Sequence, residues 1–213
     1  MKDLKKKIVV LVSGSGTNLQ AVIDAIKTNV IKNTEISLVI SNKENAFALQ
    51  RAEREGIQTC FINPKEFSDN IYYDKKLIEI ISKYNPDLII LAGYTKILTS
   101  QFINSFKNKI INIHPSLLPA FGGKGMYGQK VHEAVLKSKI KESGCTVHIV
   151  TENVDAGPII GQTKVPIMTE DTVKTLSERI LKEEHKLLID SINKILFSSS
   201  PTLENILLTK TTH

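Results

Sequence analysis

The chain has 213 residues, a formal net charge of +6, 41% apolar residues, no tryptophan and two cysteines. This length suits one α/β domain with a substantial core, and no apolar run approaches the roughly 18 residues that would span a bilayer, which argues against a membrane-spanning helix and for a soluble protein. Cys60 and Cys145 lie far apart and outside any C-x-x-C or histidine-rich pattern, so a reducing cytoplasm and no structural metal are expected.

The lysines are spread along the chain rather than gathered on one arm, which favours anionic small substrates or a solvated surface over nucleic acid. Met1 to Lys7 is a polar lead-in rather than a signal peptide, because the apolar run after it is short and no small-residue cleavage site follows. That run, Ile8 to Val12, predicts a parallel strand covered on both faces. Ser13-Gly14-Ser15-Gly16-Thr17-Asn18 comes next, and Leu19, Val22, Ile23 and Ile26 then recur at helical spacing. A glycine-rich turn feeding a helix N-terminus offers unpaired N–H groups and close backbone approach, which suit a phosphate. Ser13, Ser15, Thr17 and Asn18 could add side-chain donors, and a plain N-capped βα turn is the alternative. The turn lacks the Gly-Lys-Ser/Thr ending of a P-loop and the third glycine of the dinucleotide fingerprint. The next strand, Glu35 to Ser41, ends in Asn42-Lys43 rather than the acid that would hold an adenosine ribose.

Ala46 to Glu55 predicts a helix ended by Gly56, Gln58 to Ile62 a short strand, Tyr72 to Tyr84 a second amphipathic helix closed by Asn85-Pro86, and Leu88 to Ala92 a buried strand. This alternation requires a mostly parallel sheet with helices on both faces, and ligands of such sheets bind at the carboxyl ends of the strands. Ile110 to His114 is a further strand on which Asn112 and His114 share one face; Pro115 and Pro119 then stop it. An amide and an imidazole side by side at a strand end make a plausible reactive centre; a structural histidine bonded to a loop is equally open. Ala120 to Gly128, with four glycines, is expected to be a mobile loop with no assigned contact.

Gln129 to Lys137 predicts a helix, and Gly144 to Val150 a strand carrying His148. Ile159 to Val165 should return antiparallel, because the connection through Thr151 to Pro158 is too short for a crossover helix. A long helix from about Thr172 to Phe197 carries Leu176, Ile180, Leu187, Leu188 and Ile192 along its buried side, and Glu184 falls within that stripe, where a carboxylate requires a partner. His132 and His185 sit on expected helices and are read as ordinary exposed or capped side chains.

Four segments, in this order, resemble phosphoribosylglycinamide formyltransferase over nearly the whole chain: Ser13 to Gln20; Leu91-Ala92-Gly93-Tyr94 with Lys96-Ile97-Leu98; Asn112-x-His114-Pro115-Ser116-Leu117-Leu118-Pro119; and Val147-His148-x-Val150-Thr151 leading to Asp155-x-Gly157-Pro158. The resemblance implies a single-domain, Rossmann-like α/β fold over 1–213, with a phosphate-binding half at 1–100, a catalytic and folate-binding half at 101–197, and a peripheral tail at 198–213. It implies transfer of a formyl group from 10-formyltetrahydrofolate, a co-substrate rather than a tightly bound cofactor, to the amine of glycinamide ribonucleotide in purine biosynthesis. Asn112, His114 and Asp155 would be catalytic: an amide for the oxyanion, an imidazole for charge and protons, and a carboxylate to set the imidazole. Ser13, Gly14, Ser15, Gly16, Thr17 and Asn18 would hold the phosphate, and Glu184 the ribose hydroxyls. Folate would lie against Tyr94, Thr95, Lys96, Ile97, Leu98, Asn112, His148, Val150, Thr151 and Val154. The family often has arginine where Lys96 stands, so a bidentate grip on the folate glutamate becomes simple charge attraction. Small-molecule substrates, no nucleic acid, no membrane, no metal, a cytoplasmic location and a monomer or homodimer complete the expectation, and the two ends of the chain read as those of a free-standing enzyme.

Formyltetrahydrofolate deformylase is the nearest alternative, but it typically carries an N-terminal regulatory domain and a different first turn. Methionyl-tRNA formyltransferase needs a C-terminal RNA-binding domain, for which about 20 final residues leave no room. A non-catalytic nucleotide or folate sensor on the same fold and a dinucleotide-dependent oxidoreductase are further alternatives, the last disfavoured by the incomplete glycine fingerprint.

Overall fold

The computed structural model describes residues 4–197; the tail from Ser198, expected to be peripheral, lies outside the described residues. Seven strands, β1 (Lys6–Val12), β2 (Thr34–Ser41), β3 (Thr59–Phe61), β4 (Leu88–Leu91), β5 (Ile110–His114), β6 (Glu142–Ile149) and β7 (Ile159–Pro166), form one sheet in the order β3-β2-β1-β4-β5-β6-β7. Six helices accompany them: α1 (Thr17–Lys27), α2 (Phe47–Arg54), α3 (Asn70–Ser82), α4 (Ser100–Ser105), α5 (Gln129–Lys137) and α6 (Val173–Phe197). The chain divides into two compact units, one up to Ile111 and one from Asn112.

In the first unit β1 is the core strand. Ile8, Val9, Val10, Leu11 and Val12 are all 0% exposed, each worth roughly 1.5–3 kcal/mol relative to exposure. β1 pairs in parallel with β2, with a register shift between Ile8 and Val9, and with β4, while β2 pairs in parallel with β3. A continuous β-branched run is what such a doubly covered strand requires. α3 starts before the expected Tyr72 because Asp69 caps it, accepting from the backbone N–H groups of Ile71 at 2.8 Å and Tyr72 at 3.0 Å. α4 was not expected. It is capped by Thr99, whose hydroxyl oxygen accepts from the N–H of Phe102, and Phe102 and Ile103 are its buried residues.

In the second unit the end of β5 carries the paired polar side chains. β6 and β7 are antiparallel, with Gly144 opposite Lys164 and Cys145 opposite Thr163, as the short connection demands. The strands approach so closely at Gly144 that a Cβ there would stand 2.0 Å from the Thr163 carbonyl oxygen. α6 buries Leu176, Ile180, Glu184, Leu188, Ser191 and Ile192. Leu187, expected on the buried side, is only half-buried. Among the described residues no helix is long and apolar enough to cross a membrane.

Candidate active site

β5 delivers Asn112 and His114, β6 delivers His148, and the β6–β7 connection delivers Asp155. Asp155 reaches its place on a left-handed backbone (φ 55), a conformation that Asp and Asn tolerate better than most residues. Its Oδ2 lies 3.6 Å from His114 Nδ1, and its Oδ1 lies 3.5 Å from His148 Nε2. Asn112 Nδ2 lies 3.2 Å from the same His148 Nε2. His114 and His148 are buried. Three of these four residues are the expected catalytic set, and the structure brings them together; the fourth, His148, expected only against folate, stands inside the cluster.

Backbone carbonyls set the tautomers of both imidazoles. His114 Nε2 is 2.9 Å from the Phe121 carbonyl oxygen, and His148 Nδ1 is 2.9 Å from the Ile149 carbonyl oxygen. A carbonyl only accepts, so each of these nitrogens carries a hydrogen. In its neutral form each ring therefore turns its bare nitrogen toward Asp155, and His148 accepts from Asn112. Two lone pairs facing a carboxylate repel it, and a proton on the His114 ring turns that repulsion into attraction. Burial lowers the His114 pKa below the ordinary imidazole value, and the Asp155 charge opposes that shift. Burial alone would raise Asp155, but the His148 side chain, the His114 ring and the Gly123 N–H together hold it below the usual carboxylate range.

The glycine-rich segment after Pro119 was expected to make no specific contact, yet its backbone closes the cluster. The Phe121 carbonyl accepts from His114, and the Gly123 N–H donates to Asp155 Oδ2 at 2.9 Å. Phe121 itself has φ 55. Val150 and Thr151 are half-buried and Val154 is exposed along the connection that carries Asp155. Glu184 is 7% exposed on α6, inside the apolar stripe as expected.

In the first unit the turn after β1 is organised around Ser13. Its hydroxyl donates to Asn42 Oδ1 at 2.6 Å, while its oxygen accepts from the Thr95 N–H at 2.9 Å. Ser13 therefore spends its only O–H on the fold and has none to offer a ligand. Gly14 and Ser15 are exposed, Thr17 is half-buried, and Asn18 is buried at the start of α1. Gly16 is the N-cap in a left-handed conformation (φ 73). Of the segment expected to meet folate, Tyr94 bonds the Tyr73 hydroxyl at 2.8 Å, and Lys96 is held by Asn70 Oδ1 with its ammonium 4.7 Å from the centroid of the Tyr73 ring. Ile97 and Leu98 line an open groove of about 480 Å³ with Asn70, Ile71 and Thr99.

Residues 6–192 match the formyl transferase family. The chain belongs to that family. It is 42% identical to the phosphoribosylglycinamide formyltransferase of Escherichia coli K12 over 180 residues, covering 84% of this chain and 82% of that protein. It is also 48% identical over 182 residues to the trifunctional purine biosynthetic protein adenosine-3 of Chironomus tentans, of whose length it spans 13%. The structure superimposes on the phosphoribosylglycinamide formyltransferase of Bacillus halodurans with a TM-score of 0.85 at 33% identity, covering 92% of this chain and 97% of the other. For glycinamide ribonucleotide transformylase 1 of Symbiobacterium toebii the TM-score is 0.84 at 40% identity, covering 90% and 87%.

Two histidines of this chain depart from expectation. His132 on α5 is 6% exposed and its Nδ1 has no hydrogen-bond partner, and His185 on α6 is half-buried with Nε2 likewise unpartnered, so neither is an ordinary exposed or capped side chain. His132 lies on the apolar side of α5 with Val131 and Val135. Burial lowers the pKa of both, as it does that of His114. The folded chain thus resists protons that the unfolded chain accepts below an ordinary histidine pKa of about 6.5. Stability is expected to be level above that pH and to fall below it as the unfolded histidines take up protons. Thermal melts between pH 8 and pH 5 check this, and His132→Leu should flatten the decline.

Proposed function

We infer that the chain transfers the formyl group of 10-formyltetrahydrofolate to the amine of glycinamide ribonucleotide, as one formyltransferase domain acting on small molecules in the cytoplasm, as a monomer or homodimer. The observation that carries this reading is the convergence of Asn112 and Asp155 with the buried His114 and His148, a set with amide, imidazole and carboxylate and no serine or cysteine nucleophile. Such a set suits direct attack by an external amine. The amine lone pair forms the new C–N bond to the formyl carbon, and the carbonyl electron pair moves onto oxygen. Asn112 Nδ2–H donates to that oxyanion, and the positive charge of a protonated His114 stabilises it. The proton shed by the attacking nitrogen goes to the imidazole–Asp155 cluster, which returns it to N10 of the folate as the old C–N bond breaks. The backbone N–H groups of the Gly14 to Asn18 turn bind the substrate phosphate, and Glu184 bonds the ribose hydroxyls. Folate contacts come from Tyr94 to Leu98, His148, Val150, Thr151 and Val154, with no tightly bound cofactor and no metal.

The test supplies glycinamide ribonucleotide and 10-formyltetrahydrofolate singly and together to the purified chain. Formylglycinamide ribonucleotide and tetrahydrofolate should accumulate in equal amounts, and only with both present. Formate released from folate alone would replace this reading with a hydrolase, and binding without turnover would replace it with a sensor.

A further inference from the structure

α2 packs on the glycine turn through the turn's carbonyl groups. The Ala48 N–H donates to the Gly14 carbonyl at 3.1 Å, and Arg51 Nε–H donates to the Ser15 carbonyl at 2.8 Å. A second guanidinium N–H of Arg51 donates to Gln20 Oε1 at 3.2 Å on α1, and the Phe47 ring lies 4.8 Å from the guanidinium carbon. The fit is tight at Gly16, where a Cβ would stand 2.6 Å from the Ala48 Cβ.

A trans peptide is planar, with its C=O and its N–H pointing in opposite directions. Holding the Gly14 and Ser15 carbonyls toward α2 therefore turns the N–H groups of Ser15 and Gly16 away from α2. A cation bonded to the Ser15 carbonyl also polarises that peptide and strengthens the Gly16 N–H as a donor. Lysine cannot reproduce this, because its point charge lacks the fork that reaches both Ser15 and Gln20.

We propose that Arg51 is a positioning residue for phosphate monoester recognition: it bonds the Ser15 carbonyl and the Gln20 side chain, and so aims the Gly16 N–H at the phosphate. The proposal rests on the reading of the Gly14 to Asn18 turn as the phosphate site. Arg51 itself touches no substrate.

The test uses the full chain and its Arg51→Ala and Arg51→Lys variants, with ribose 5-phosphate and phosphate-free ribose analogues as probes. Arg51→Ala should weaken ribose 5-phosphate about tenfold, the equivalent of one charge-assisted hydrogen bond. It should raise KM for glycinamide ribonucleotide by the same factor with kcat unchanged, and leave the phosphate-free ribonucleoside unaffected. Arg51→Lys should recover only part of the loss. Wild-type affinity for ribose 5-phosphate in a folded Arg51→Ala chain would overturn the proposal, as would equal losses with and without the phosphate, or no binding of ribose 5-phosphate to the wild type. Tight, Arg51-dependent binding of ribose 5-phosphate without formyl transfer would sustain it while defeating the formyltransferase reading.

Discussion

Asp155→Asn is expected to lower kcat for formyl transfer by about a thousandfold, within the range a positioned acid–base group supplies, while the fold stays intact. Asparagine fits the same space, tolerates the positive φ at this position and keeps an oxygen for the Gly123 N–H. What disappears is the negative charge between the two imidazoles, 3.6 Å from His114 and 3.5 Å from His148. That charge is the main influence opposing the burial that lowers the His114 pKa. Without it the imidazolium is less stable and forms only at lower pH, so the acid limb of the residual pH–rate profile should move down. A kcat–pH series beside thermal melts decides the matter. Wild-type turnover, or an acid limb that moves up, would show that the carboxylate does not set the imidazole.

Gly157→Ala should destabilise the protein by about 3 kcal/mol or more, a Tm loss of roughly 6–12 °C for a chain of this size. A Cβ at Gly157 would lie 1.8 Å from the Ile149 carbonyl oxygen and 2.9 Å from its carbon. Both are backbone atoms, so no rotamer relieves the clash. The chain can make room only by straining the bond from the Ile149 N–H to the Pro158 carbonyl, now 2.9 Å, which closes the loop carrying Asp155. Turnover should fall with stability. Gly14→Ala is the control, since nothing lies within 4 Å of a Cβ there; its melting temperature should stay within a few degrees of wild type.

The elements visible in the sequence are those whose burial repeats along the chain. The unbroken run at Ile8 to Val12, the helical spacing after Asn18 and the short link before Ile159 each leave one solution for the backbone, and the structure adopts it. α4 has six residues, too few for a period to show. Glu184 was detectable because a carboxylate in an apolar stripe contradicts its neighbours. His148 was legible only as a pocket residue or a structural histidine, because its partner Asn112 is 36 residues away and nothing local ties them. The Phe121 carbonyl and Gly123 N–H belong to the backbone and have no signature in residue type. Asp74 was silent for a different reason: nothing in its run with Lys75 and Lys76 marks it for burial, yet it is fully buried and accepts the Thr99 N–H at 2.6 Å.

In the proposed formyl transfer, His114 and Asp155 act as one proton-accepting unit. Single-turnover rates of the wild type, His114→Ala, Asp155→Ala and the double variant, with both substrates saturating, test it most directly. The double variant is expected to be no slower than the slower single variant, because either change removes the same function. A double-variant rate equal to the product of the two separate losses, or single variants that turn over like wild type, would contradict it.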